Sequence, residues 1–245
     1  GRKNLKQFFE TYYVANNAVL VIVGDMDRQQ AEKLALRFDT ALRAGEKAPV
    51  LPEVKPLEKA VNIQMPFPSE QAHIFIGQAG MSRTDSDYFP LYVGNHVLGG
   101  SGFTSRLMKQ VRSDRGLAYS VYSYFMPMRA QGPFLAGLQT RVDQADMAVD
   151  LVYETLATYR EEGPTDKELM ASKRNITGGF PLRIASNGDL VEYLAVIGFY
   201  DLPLDYLDTF VAKVEAIDQA AILDAYQRRL DPDRMVTVVV GGEQE

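Results

Sequence analysis

The spacing of apolar residues predicts a helix, a strand and a second helix at the start of the chain. In NLKQFFETYYV (residues 4–14), apolar side chains recur at helical intervals. The run NAVLVIVGD (17–25) is continuously apolar and rich in β-branched residues, as is typical of a buried strand. The segment DRQQAEKLALRFDTAL (27–42) again places its apolar residues on one helical face.

A proline-rich stretch separates this first segment from the rest of the chain. The prolines in KAPVLPEVKPLEKA are Pro49, Pro52 and Pro56. Prolines at this density favour an extended, semi-rigid connection. We therefore predict an interdomain linker at 48–59, between a first segment at 1–47 and a complete domain at 60–245.

Beyond the linker, the pattern predicts strands, then helices, then a last strand. Apolar runs and alternation predict strands in 61–67, 70–80, 117–127, 132–142 and 234–242. Helical spacing predicts helices in 85–100, 104–114, about 144–163, from 165 onward, 187–200, 204–217 and 218–230. This order predicts an α+β fold, a mostly antiparallel sheet flanked by helices, and argues against a doubly wound parallel sheet.

Several helix boundaries have their own signals. Asp85 or Asp87 is expected to cap the helix at 85–100, and Gly99 with Gly100 is expected to end it. The sequence TDKE (165–168) is a capping box, which marks the start of another helix.

Two distant segments of the chain resemble each other without a gap. LKQFFETYYVANNAVLVIVG (5–24) and ILDAYQRRLDPDRMVTVVVG (222–241) both contain an amphipathic helix, a polar turn, a β-branched strand and a glycine. Helix–strand units are common, but the ungapped match favours an internal duplication. Residues 1–47 are then the end of a first module, and 60–245 is a complete second module of the same type.

The composition of the chain excludes or disfavours several classes of function. The net charge of −6 and the lack of a Lys/Arg-rich run argue against nucleic-acid binding. No apolar run has the length of a membrane span. The chain has no cysteine, which excludes disulfides, thiolate metal sites and a cysteine nucleophile.

The two histidines do not form a metal-binding motif. His96 lies in HVLGG, on the apolar face of its predicted helix, and is interpreted as a half-buried packing residue. His73 alternates with apolar residues in a predicted strand. Because a tight zinc site needs three or four protein ligands, no metal site is expected in this chain.

The corner KQVRSDRGLAYSVYSYF (109–125) leaves two interpretations open. Arg112 is predicted near the end of a helix, Gly116 in a left-handed turn, and Tyr119 at the start of a strand. An arginine near a helix end and a tyrosine in a strand are ordinary. The same two side chains could instead bind a peptide carbonyl or carboxylate.

The segment LGGSGFTSRLMKQVRSDRGLAYSVYSYF (98–125) resembles the pitrilysin-type zinc peptidases, which include insulin-degrading enzyme, the mitochondrial processing peptidase and many bacterial relatives. The resemblance extends more loosely over the whole chain. It implies duplicated α/β modules, two in each half, with two halves that close around a peptide.

The resemblance also implies roles for particular residues. Arg112 would position the peptide backbone beside the scissile bond, and Tyr119 would stabilise the developing oxyanion. The substrate-binding turn would consist of Gly99, Gly100, Ser101 and Gly102.

The family's zinc motif, H-x-x-E-H, is absent from the chain. Zinc is therefore expected in an upstream region or in a partner, and the chain is expected to be inactive by itself. The expected partners are a peptide substrate and either a zinc-bearing subunit or a second copy of the chain. The alternatives are a structural or assembly subunit without a peptidase role, or a fragment of an active homodimeric zinc peptidase. Closeness to bacterial members favours the periplasm over the cytoplasm.

Overall fold

The structure is a computed structural model that describes residues 1–242, and it divides into two compact units. The first unit comprises residues 1–52 and 179–208. The second unit comprises residues 53–178 and the chain from 209 onward. The boundary near residue 52 falls inside the predicted proline-rich linker.

The second unit is built on a five-stranded sheet. In chain order its strands are β1 (Val61–Met65), β2 (Gln71–Ala79), β3 (Val121–Phe125), β4 (Pro133–Arg141) and β5 (Val236–Val240). The strand order across the sheet is β1-β5-β2-β4-β3. Only β1 and β5 run parallel among these strands, so the predicted mostly antiparallel α+β fold is confirmed.

Helices of the second unit cover one face of this sheet. In chain order, the helices of both units are α1 (Arg2–Tyr12), α2 (Arg28–Ala41), α3 (Tyr88–Asn95), α4 (Ala145–Glu162), α5 (Asp166–Gly179), α6 (Asn187–Phe199), α7 (Tyr206–Glu215) and α8 (Gln219–Arg229). In β2, Ala72, Ile74 and Ile76 are buried, whereas the residues between them are more exposed. This alternation places the core between one sheet face and α3, α4 and α8.

Two buried tyrosines, on α4 and α8, connect these helices to α3 inside this core. The rings of Tyr159 and Tyr226 meet edge to face at 4.9 Å. Their hydroxyls donate to the backbone of α3, Tyr159 to Gly94 O at 2.9 Å and Tyr226 to Leu91 O at 3.4 Å. Because both hydroxyls have partners, these polar groups can be buried at little cost.

The helix boundaries follow the predicted signals, with one correction. The capping box is confirmed, because Thr165 and Glu168 exchange hydrogen bonds. Asp87 precedes α3, but its side chain does not cap the helix. Its carboxylate instead accepts from Arg228 and Arg229 at the end of α8. The hydrogen bond from Arg228 is the main cause that lowers the pKa of Asp87, although burial opposes it.

The strand predicted at 17–25 in the first unit is not formed. The predicted helices before and after it are present as α1 and α2, but no strand is assigned to residues 18–24. A strand requires a neighbouring strand for its backbone hydrogen bonds, and none of the described residues pairs with this segment. The apolar run therefore lies outside any sheet of the described residues, with Val19 and Leu20 exposed.

The two resembling segments share a helix and a 3₁₀ turn in the same order, but only the second segment forms a strand. A shift of about 217 positions moves α1 onto α8, end to end. The same shift moves the 3₁₀ turn Ala15–Asn17 onto the 3₁₀ turn Pro232–Arg234. It also moves residues 19–23 onto β5, which lies inside the sheet between β1 and β2.

Candidate functional site

The glycine-rich turn is fixed to the sheet by a buried polar pair. Asn95, at the end of α3, donates to Ser123 O at 2.8 Å and accepts from the Ser123 hydroxyl at 2.7 Å. The chain then makes π-helical turns over His96–Gly100. Gly99 is buried, and a Cβ atom there would lie 2.3 Å from Ser123 Oγ. The close approach of this turn to β3 therefore requires a glycine at position 99.

The rest of the turn is exposed and is held by its own hydrogen bonds. Gly102 has φ +62°, which favours glycine. Its carbonyl accepts from the amide and the hydroxyl of Ser105, at 3.1 and 2.8 Å. Thr104 donates to Ser101 Oγ at 3.0 Å. The predicted turn residues are thus adjacent, but Gly99 faces the core while Gly100 and Gly102 face solvent.

Arg112 lies on a second π-helical stretch, Met108–Asp114. Turns of this type are frequent at functional sites. Gly116 has φ +65°, which confirms the predicted left-handed turn, and its amide donates to Arg112 O at 2.9 Å. Leu117 and Ala118 then enter the core.

Tyr119 lies just outside the strand that was predicted to begin with it. β3 starts at Val121, so Tyr119 belongs to the connection between the π-helical stretch and the strand. A residue in this connection is not constrained by ladder pairing, and Tyr119 is 83% exposed.

The structure brings Arg112 and Tyr119 together and adds Phe103 to them. The guanidinium carbon of Arg112 lies 4.8 Å from the ring centroid of Tyr119 and 4.6 Å from that of Phe103. Both distances are in the cation–π range. Phe103 is 72% exposed. We call these three residues the arginine stack.

The guanidinium of Arg112 has no anionic partner among residues 1–242. On the same helix, Asp114 pairs with Lys109 at 3.0 Å. The five N–H donors of a guanidinium point outward in its plane, and contacts of its central carbon with aromatic rings use none of them as a hydrogen bond to oxygen. The arginine stack can therefore donate hydrogen bonds to a carbonyl or carboxylate oxygen.

A shallow groove borders Tyr119 on the sheet face that the helices leave open. Its volume is about 230 Å³, and no lysine, arginine or carboxylate lines it. The lining residues are His73, Phe75, Tyr119, Ser120, Tyr122, Leu138 and Gln139. An uncharged segment of an extended chain could therefore lie beside the arginine stack.

The helix that carries Arg112 is anchored by a charged pair at its start. Arg106 donates from two nitrogens to the two carboxylate oxygens of Glu168, each at 2.8 Å, and also donates to Gly163 O. Burial opposes ionisation of Glu168, but hydrogen bonds from Arg106 and Thr165 outweigh it and lower the pKa to about 2. Bidentate geometry of this kind fixes direction as well as distance.

Neither histidine lies in a cluster of metal ligands. Within the described part of the chain, no three His, Asp or Glu side chains are placed to hold a metal ion. His96 is half-buried and bonds Asn175 and Ser172 of α5, at 3.0 Å each. His73 bonds Gln139 at 3.0 Å on the open sheet face. No described helix combines the length and the apolar character that a membrane span requires.

Sequence reasoning proposed Arg112, Tyr119 and the turn as candidate residues but did not include Phe103, which the structure places beside Arg112. The available signal was a large aromatic residue inside a turn of glycines and small hydroxyl residues, GGSGFTS. It also missed the supports at Asn95 and Glu168, because their partners lie 28 and 62 positions away.

Comparison with known protein families identifies the family to which the chain belongs. The chain matches the family described as "Peptidase M16 inactive domain" over residues 1–176. A Bacillus subtilis protein named "Uncharacterized zinc protease YmxG" is 33% identical over 183 residues, which is 75% of this chain and 44% of that protein. A Helicobacter pylori protein named "Non-peptidase homolog YmxG" is 28% identical over 99% of this chain and 56% of that protein. The chain spans about half the length of these relatives.

Solved structures agree with this result. The crystal structure of a peptidase M16 inactive domain from Pseudomonas fluorescens superposes with a TM-score of 0.92 at 38% identity, over all of this chain and 58% of that one. A protease from Helicobacter pylori superposes with a TM-score of 0.87 at 18% identity, over 98% of this chain and 59% of that one. The second likeness concerns the fold alone.

Proposed function

The chain belongs to the peptidase M16 inactive domain family, and from this membership we propose that it binds peptide and supplies Arg112 and Tyr119 to a zinc site located elsewhere. It is the inactive, C-terminal type of domain of a zinc protease-like protein. The observation that carries the proposal is the guanidinium of Arg112, which has no anionic partner in the described part of the chain and lies 4.8 Å from the centroid of the exposed Tyr119 ring.

The chemistry of the two side chains matches this role. Arg112 can donate two in-plane hydrogen bonds to backbone carbonyl oxygens and so hold a peptide in register. Tyr119 can donate one hydrogen bond to an oxygen that gains negative charge during hydrolysis. Its exposure leaves its hydroxyl accessible to a peptide.

The described residues of this chain do not form a zinc site. Relatives are named zinc proteases, but among residues 1–242 no group of three metal-ligating side chains is present. In the proposed arrangement the zinc lies in another part of the natural protein or in a partner, either a separate subunit or a second copy. This chain contributes only the donors of Arg112 and Tyr119.

The test is peptide hydrolysis by the full natural protein, together with its zinc-bearing partner if that is a separate chain. Tyr119→Phe removes one hydroxyl and should lower turnover on the order of a hundredfold. Its thermal midpoint should not change, because Tyr119 is 83% exposed and the substitution keeps the ring that contacts Arg112. Unchanged turnover would refute the role of Tyr119.

We further propose that residues 1–47 are the end of a first module whose remainder is not in this chain. The support comes from positions that the 217-residue offset relates. Leu5 is 73% exposed, whereas Ile222 is 0% exposed, and Phe9 is 53% exposed, whereas Tyr226 is 0% exposed. The apolar face that α8 buries against its own module is bare on α1, and the missing part of a first module is proposed to cover it.

A non-enzymatic role is the second candidate function. It is favoured by the Helicobacter pylori relative that is named a non-peptidase homolog and matches almost all of this chain. In that role the chain would be a structural or assembly subunit, and the arginine stack would not bind peptide. Isothermal titration of the full natural protein with unstructured peptides separates the two, because only the peptide-binding role predicts heat of binding together with a lower affinity in Arg112→Ala. A periplasmic location stays a prediction.

A further inference from the structure

Phe103 has no part in the proposed function, although it contacts Arg112 more closely than Tyr119 does. Its ring centroid lies 4.6 Å from the guanidinium carbon, and the ring is 72% exposed. An aromatic ring with this exposure contributes little to the core. Its position over Arg112 therefore needs an explanation other than burial.

Hydrogen bonds on both sides of Phe103 stabilise the turn that carries it. Ser105, which follows the turn, is fully buried and bonds Gly102 O through both its amide and its hydroxyl. Thr104 bonds Ser101, and Gly102 has the positive φ that lets the chain reverse there. Phe103 thus projects from a turn that is fixed on both sides.

A free arginine side chain has many rotamers, and ordering it on binding weakens affinity. Aromatic rings near a guanidinium restrict its plane without using its hydrogen-bond donors. Phe103 and Tyr119 both lie within cation–π distance of the same guanidinium.

We propose that Phe103 is a positioning residue that, together with Tyr119, fixes the plane of the Arg112 guanidinium before a peptide binds. The N–H groups of Arg112 then donate to an acceptor oxygen of the peptide backbone, and the arginine side chain loses little further rotamer freedom on binding. This inference rests on the proposed function, because it assigns Phe103 to the same site.

The first experiment measures the orientation of Arg112 directly. The arginine side-chain NMR signals of the full natural protein are compared with those of Phe103→Leu and Phe103→Tyr. A guanidinium held near aromatic rings shows ring-current displaced signals, which should persist in Phe103→Tyr and move toward ordinary values in Phe103→Leu. Unchanged Arg112 signals in Phe103→Leu would overturn the inference.

The second experiment measures binding of a labelled, unstructured peptide by fluorescence anisotropy. Phe103→Leu should weaken binding by roughly two- to fivefold, the factor expected for one exposed cation–π contact. Phe103→Tyr should bind as the wild type does. Phe67→Leu is the control, because Phe67 is also an exposed phenylalanine of the second unit and lies outside the arginine stack.

Arg112→Ala provides the background that separates positioning from direct contact. If Phe103 acts through Arg112, Phe103→Leu should have no further effect in the Arg112→Ala protein. An equal loss in both backgrounds would mean that Phe103 contacts the peptide itself, and the inference would be wrong.

Binding that depends on Arg112 and Tyr119 but not on Phe103 would overturn only the inference. Absence of peptide binding by the wild type would overturn the proposed function and this inference with it.

Discussion

Arg106 and Glu168 form a two-point hydrogen-bonded ion pair, with both nitrogen–oxygen distances at 2.8 Å. The pair connects the start of the helix that carries Arg112 to the start of α5. Glu168 also accepts from the amide and hydroxyl of Thr165. One carboxylate thus caps a helix and anchors the proposed binding site.

Glu168→Gln should lower the free energy of unfolding by about 1–3 kcal/mol, because the partly buried guanidinium of Arg106 loses its charged partner. Urea denaturation of the second unit, followed by circular dichroism, measures this change. The matched control is Asp143→Asn in the same unit, since Asp143 pairs with Arg141 in an exposed contact that contributes only tenths of a kcal/mol. Equal effects of the two substitutions would contradict the anchoring role.

The contribution of Glu168 should depend on pH in a defined direction. Its pKa falls from the ordinary 4.5 to about 2 in the folded protein. A lowered carboxyl pKa stabilises the fold above the unfolded pKa, and this stabilisation is lost as the pH falls toward the folded pKa. The stability difference between wild type and Glu168→Gln should therefore be full above about pH 5 and shrink toward pH 2. A difference that stays constant from pH 7 to pH 3 would contradict the assignment.

Gly99→Ala should destabilise the second unit and displace the glycine-rich turn. The added Cβ atom would lie 2.4 Å from the backbone nitrogen of Ser123, and overpacking of this kind costs about 1–3 kcal/mol. Gly178→Ala is the matched control, because its Cβ atom meets nothing within 4 Å and alanine favours the helical state. Thermal melts should show a lower midpoint for the first variant and an equal or higher one for the second.

Hydrogen exchange should distinguish residues 19–23 in the isolated chain from the same residues in the full natural protein. In the chain as described, their amides lack strand partners and should exchange rapidly. In the full protein, the proposed first module would supply neighbours like those of β5, so protection should approach that of β5. Rapid exchange of residues 19–23 in the full protein would count against the duplicated-module proposal.

Local patterns predicted most of the elements. Helical spacing and caps located α1, α2 and α4 to within a few residues, because these signals depend on neighbours three or four positions apart. The β-branched run at 17–25 gave the same local signal as β5 but formed no strand. Strand formation depends on a partner that the local sequence does not contain.

The sequence by itself determined the periodic elements and the repeated helix–turn segment, since each is a matter of residue type and spacing. It made Arg112 and Tyr119 candidates only through the resemblance to a family. Only the tertiary structure decided that Phe103 joins the pair, that Gly99 lies against β3, and that Glu168 anchors Arg106. These contacts join residues distant in sequence, and their geometry depends on how the elements pack rather than on any local pattern.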